Sequence, residues 1–228
     1  VAGVDGCRAG WAVVWRDRDG LSPPVFEVFR DFAAILGDPR QPAAIAVDMP
    51  IGLPERAGHG GRGPEVAVRP LLAGRQSSVF SVPSRAAVMA TDYGEACRIA
   101  LETSDPPRKV SRQAFGLFPK IREIDAVMGA AVEARVFESH PELAFWRLNG
   151  ERPMATPKKV KSRANAEGLA ERIALLTRSG YEADFFEQAL PSGVGRDDFI
   201  DAAVLALIAG RIAEGKATPF PAAPERDA

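Results

Sequence analysis

The chain is poor in the residues that build soft-metal centres and disulfide scaffolds: of 228 residues, two are cysteine and two are histidine. Cys7 and Cys97 lie 90 residues apart without metal-type spacing. That argues against a zinc knuckle or a disulfide framework, and a reducing cytoplasm is the expected compartment. Cys7 reads as a small buried filler rather than a nucleophile. His59 and His140 are too few for a histidine-rich centre, so a metal here is expected to be hard and oxygen-ligated. No apolar run approaches the roughly 20 residues that cross a bilayer, and no basic-then-apolar leader opens the chain. No membrane partner is expected, and the start at Val1, inside a strand-like run, reads as trimmed. A Walker loop, a complete G-x-G-x-x-G after a strand and a G-x-S-x-G elbow are all missing. So is the aromatic-basic alternation of single-strand binders.

What is present is an ordinary globular composition, 46% hydrophobic and 26% charged, which argues against disorder. The net charge of −1 is not that of an obvious nucleic-acid binder. Its distribution is uneven, however. Arg56 to Arg122 holds nine arginines and two lysines against five acids, a local excess of +6, which leaves −7 for the rest. A basic face beside an acidic cluster suits an anionic substrate with metal cations, and a solvated basic face would give the same count.

The first fifty residues read as β-β-β-α-β. Val1 to Asp5 starts a strand and Gly6 to Gly10 is a glycine-containing turn. Trp11–Arg16 and Val25–Phe29 are strand-like, and Asp31 is a candidate N-cap for a short helix to Leu36. The run Ala43 to Val47 lacks alternation, as a strand covered on both faces would. It ends at Asp48 before Pro50. Gly52 to about Gly74 reads as a loop, followed by helices around Arg85–Met89, Tyr93–Glu102 and Arg112–Val127. Another buried-type strand, Ala134–Glu138, leads to a helix over Glu142–Leu148. Residues 151–163 read as a basic loop (Arg152, Lys158, Lys159, Lys161, Arg163). A helix from about Glu167 to Thr177 and a final one from Asp197 through Arg211 complete the reading. The Pro- and Ala-rich tail after Lys216 is expected to fray.

Four elements bring acids to places where a site can form. Asp5 ends the first strand, Asp48 the fourth, and Glu138 the strand after the helical segment, while Asp197, Asp198 and Asp201 open the last helix. Strand ends of open α/β sheets are where ligands bind, and converging acids repel one another unless cations neutralise them. Mg²⁺ or Mn²⁺ is the expected counter-ion. Asp201 borders the apolar face of its helix, with Asp198 about 60° further round. Asp197 reads as an N-cap. Phosphate-contact residue types gather in Arg75-Gln76-Ser77-Ser78, at Arg85, in Ser111-Arg112 and at Lys120. Arg8 and Lys158 join that candidate set, and Ser111 has a second reading as a helix cap.

Six blocks carry a family resemblance: GVDGCRAGWAVV, AVDMPIGLP, RQSSVFSVPSRAA, SRQAFGLFPKIREID, VFESHPELAFWRLNG and DDFIDAAVLA. Together they resemble the domain of unknown function 429 family, described as predicted RNase H-like nucleases, over nearly the whole chain. The resemblance implies an α/β RNase H-like fold, a mixed sheet flanked by helices, as a single domain. A large, mainly helical insertion over about residues 52–133 would separate the fourth and fifth strands. It implies Asp5 and Asp48 as strand-end metal ligands, Asp198 and Asp201 as the acids of the final helix, and Glu138 as a supplementary acid. The expected function is metal-dependent hydrolysis of DNA or RNA phosphodiesters. A nucleotide-binding or phosphoryl-transfer protein on the same fold, or a non-catalytic binding module, stays open.

Overall fold

Three strands, β1 (Ala2–Cys7), β2 (Gly10–Trp15) and β3 (Val25–Phe29), form an antiparallel meander, with Gly3 opposite Val14 and Asp5 opposite Ala12. The turn into α1 (Phe32–Leu36) is capped by Asp31, whose Oδ1 accepts the Ala34 N–H at 2.8 Å. The chain returns as β4 (Ile45–Val47), parallel to β1, and later as β5 (Val136–Glu138), parallel to β4. The resulting mixed sheet has the order β3-β2-β1-β4-β5. β4 is fully buried, as its unbroken apolar run requires.

Between β4 and β5 lie α2 (Gly63–Val68), a 3-10 segment Arg69–Ser78, α3 (Arg85–Met89), α4 (Tyr93–Glu102), α5 (Arg112–Asp125) and α6 (Ala130–Glu133). After β5 come α7 (Pro141–Leu148), the two-residue strands β6 (Lys159–Val160) and β7 (Arg163–Ala164), α8 (Ala166–Arg178), a 3-10 turn Ala183–Glu187 and α9 (Arg196–Ala213). The structure, a computed structural model, describes residues 1–161 and 163–223. The end of the Pro- and Ala-rich tail lies outside the described residues. By packing the chain divides into two units: Val1–Met49 with Gly129–Ala217, and Pro50–Met128 with Thr218–Ala228. Among the described residues no helix is long and apolar enough to cross a membrane.

The loop expected over residues 52–74 is instead partly helical. Pro64 pre-sets the first turn of α2, and Glu65 reaches back to accept the Arg62 N–H at 2.7 Å and the Arg62 guanidinium at 2.6 Å. The glycine-rich composition hid this start. In the first unit, α9 is the central helix, with Phe199, Ile200 and the run Ala202–Ala206 wholly buried. It packs on the sheet face that carries Cys7, Ala12, Val14, Ala44 and Ala46.

Candidate metal centre

Side chains alternate across a strand, so Gly3, Asp5 and Cys7 share one face of β1. Gly3 lets α9 come close: a Cβ there would lie 2.1 Å from the Ala202 carbonyl oxygen. Asp5, two residues on, therefore faces the same helix. In the parallel register Gly3 pairs with Ala46 and Val4 with Val47. The Asp48 N–H continues that ladder to the Val4 carbonyl at 2.9 Å. Asp48 thus lies beside Asp5 on the α9 face, and α9 supplies Asp201, one residue before Ala202. One carboxylate oxygen from each of Asp5, Asp48 and Asp201 lies within 4.8 Å of the others.

The trio sits in poor solvation. Asp5 is 8% and Asp201 2% exposed, and Asp48 is partly buried. Burial, with Asp48 and Asp201 as like-charged neighbours, holds the Asp5 carboxyl well above the usual range. Burial likewise raises Asp48 to about 7 and Asp201 to about 6, in both cases against the pull of Lys158. Burial lowers the Lys158 ammonium, but Asp201 and Asp5 outweigh it, and its pKa is raised. Lys158 Nζ donates to Asp201 Oδ2 in a short ion pair. Asp201 Oδ1 is buried without a hydrogen-bond partner.

An unpartnered carboxylate oxygen inside an acidic cluster is costly unless something electropositive meets it. The buried Asp5–Asp48–Asp201 group can bind a metal ion: its donors are hard oxygens.

Lys158 is held from behind by α8. A Cβ on Gly168 would lie 2.1 Å from the Pro157 carbonyl oxygen, so the helix and the lysine segment meet backbone to backbone. The Asn165 N–H donates to the Lys158 carbonyl at 2.8 Å and Asn165 Nδ2 to the Pro157 carbonyl at 2.9 Å. Glu171 accepts the Ala155 and Thr156 N–H groups, both at 2.8 Å. Beside this clamp Lys159 pairs with Asp197 at 2.5 Å, one helical turn before Asp201.

The other expected site residues are distributed differently. Asp198, partly exposed, accepts the Gly195 N–H at 2.8 Å and so closes the start of its own helix. Burial raises its carboxyl to about 6 despite that bond. Asp197 is not the N-cap: the cap is Gly195. Glu138 pairs in register with Val47, which places it on the opposite face from Ala46 and Asp48, and it is exposed. It raises the Asp48 pKa. Arg8 is exposed in the β1–β2 turn.

In the second unit, Arg85 Nη1 donates to Asp125 at 2.5 Å, Ser111 caps α5 through the Ala114 N–H at 3.1 Å, and Arg112 lies 4.2 Å over the Tyr93 ring. Ser77 and Ser78 are exposed, and Ser78 donates to the Arg75 carbonyl at 2.7 Å. Lys120 is partly buried on α5. Glu142, not foreseen as part of the setting, opens α7 and raises the Asp48 and Asp201 pKa values, while its own charge is bound to buried Arg172. An acid directly after Pro141 was the available signal.

A family profile described as Protein of unknown function (DUF429) matches residues 3–226. The chain belongs to that family. Searches of curated proteins and of solved structures return no match.

Proposed function

We propose that this family member is a metal-dependent nuclease of RNase H-like fold, in which Asp5, Asp48 and Asp201 hold Mg²⁺ or Mn²⁺ and the substrate is DNA or RNA. The observation that carries the reading is the convergence of these three carboxylates on one buried spot, with one oxygen of Asp201 unpartnered. The order β-β-β-α-β ahead of the helical segment, and the sheet order that follows from it, support the fold.

In the reaction a water oxygen bonds to phosphorus as the bond to the leaving ester oxygen breaks. The water gives up a proton, and the leaving oxygen takes one from solvent. The bound ion would supply Lewis-acid stabilisation of the charge that builds on the phosphate. Asp5, Asp48 and Asp201 would hold that ion, and Asp198 is assigned as acceptor of the water's proton. Phosphate contact is assigned to Arg8, exposed in the β1–β2 turn.

The test is a panel of single- and double-stranded DNA and RNA with the full chain, in Mg²⁺ and in Mn²⁺. Cleavage is expected, lost in Asp5→Asn at unchanged circular dichroism. Absence of cleavage across the panel, with no thermal stabilisation by either ion, would overturn the reading.

A further inference from the structure

We infer that Lys158 is a built-in cation of the carboxylate centre, taking the place of a second metal ion, so that the site accepts one divalent ion per chain. The inference rests on the metal-site reading above. With all groups ionised, three carboxylates and one ammonium sum to −2. A single divalent ion cancels that charge and a second would reverse it. Asp201 divides its oxygens accordingly: Oδ2 receives Lys158, and buried Oδ1 is left for an ion.

The position of the ammonium is built rather than incidental. The backbone before and at Lys158 is held by Gly168, Asn165 and Glu171 of the α8 region, and the neighbouring Lys159 is pinned to Asp197. A surface lysine drawn in by chance would not have its main chain fixed by three residues of another element. The lysine therefore screens the trio permanently, at no cost in ion recruitment, and limits how many ions can follow.

Calorimetric titration of MnCl₂ into the EDTA-treated full chain tests this without any substrate. The unmodified protein and Lys158→Arg are each expected to bind one Mn²⁺ per chain, and Lys158→Gln two. Lys158→Met carries the same expectation as Lys158→Gln should that variant not fold. Two ions in the unmodified chain, or one in both neutral variants, would overturn the inference while leaving the metal site intact. No Mn²⁺ binding to the unmodified chain would overturn both. A one-ion protein that cleaves nothing would sink only the nuclease reading.

Discussion

Gly3 of β1 and Ala202 of α9 meet backbone to backbone, so close that a Cβ on Gly3 would stand 2.1 Å from the Ala202 carbonyl oxygen and equally close to Ala206 N. Asp5 lies two residues beyond one partner and Asp201 one residue before the other. The contact thus sets the spacing of two acids of the candidate metal centre as well as the packing of the central helix. Gly3→Ala meets main chain, which no rotamer change relieves, so the cost belongs at or above the roughly 3 kcal/mol upper end for overpacking. Chemical denaturation is expected to show that loss together with a weaker thermal response to Mn²⁺. Gly210→Ala on the same helix is the control, because nothing lies within 4 Å of its added Cβ. It should stabilise by about 0.5–1 kcal/mol.

Stability should fall with rising pH when no metal is present. Burial raises the folded-state pKa of Asp48 to about 7 and of Asp201 and Asp198 to about 6, and holds Asp5 well above the usual range. Between the unfolded carboxylate pKa, about 4, and these folded values, the native state binds more protons than the unfolded chain. The associated stability is full below about pH 4 and is lost as pH climbs through 6 and 7. Saturating Mg²⁺ should flatten or reverse the trend, since the ion needs the carboxylates ionised. Thermal midpoints from pH 5 to 8, in EDTA and in Mg²⁺, check both slopes. A midpoint in EDTA that rises with pH would contradict the electrostatic picture.

Asp5→Asn should raise metal-free stability at pH 8 and abolish the response to metal. The substitution removes one of three like charges from a buried cluster, relieving repulsion that Lys158 alone does not offset. In the unmodified chain, an ion at a hundred times its Kd adds about 2.7 kcal/mol, or roughly 5–10 °C for a protein of this size. Scanning fluorimetry of both proteins with and without Mn²⁺ measures the two effects together. Equal metal shifts in the two proteins would remove Asp5 from the ligand set.

Much of this centre was legible in the sequence because its determinants are local. Asp5 and Asp48 each close an apolar run beside a glycine or proline, and the angle around α9 separates Asp201 from Asp198. Strands β1 to β5 and the helices α3, α4 and α5 were visible for the same reason, as apolar or periodic runs with local turn or cap signals, whereas β6 and β7 lie where the sequence reads as a basic loop. Glu138 shows where that reasoning stops. It does end a strand, but its register with Val47 turns it to the other face, and a strand of three residues carries no sign of parity. Lys158 was visible as one base in a basic loop and as a candidate phosphate contact, not as a partner of the acids. Its partner is 43 residues away, and its placement depends on Gly168 admitting the Pro157 carbonyl, a tertiary contact with no local signature.

The same clamp predicts a strong coupling between Glu142 and Arg172. Arg172 is wholly buried and its Nη2 donates to both Glu142 carboxylate oxygens, at 2.7 and 2.9 Å. Its Nη1 donates to the Thr156 and Gly168 carbonyls at 3.0 and 2.8 Å, so the guanidinium also ties down the segment that leads to Lys158. Removing one partner leaves the other charge buried and unpaired, and Glu142→Leu or Arg172→Leu should each cost about 3–5 kcal/mol. The double variant loses the pair without stranding a charge, so it should cost well below the sum of the two. Variants lacking Arg172 release Thr156 and should alter Mn²⁺ affinity through a Lys158 less firmly held against Asp201, whereas Glu142→Leu reaches the trio through its lost charge alone. Denaturation of the four proteins gives the cycle and Mn²⁺ titration the second readout. A coupling under about 0.5 kcal/mol would mean that the two residues act independently.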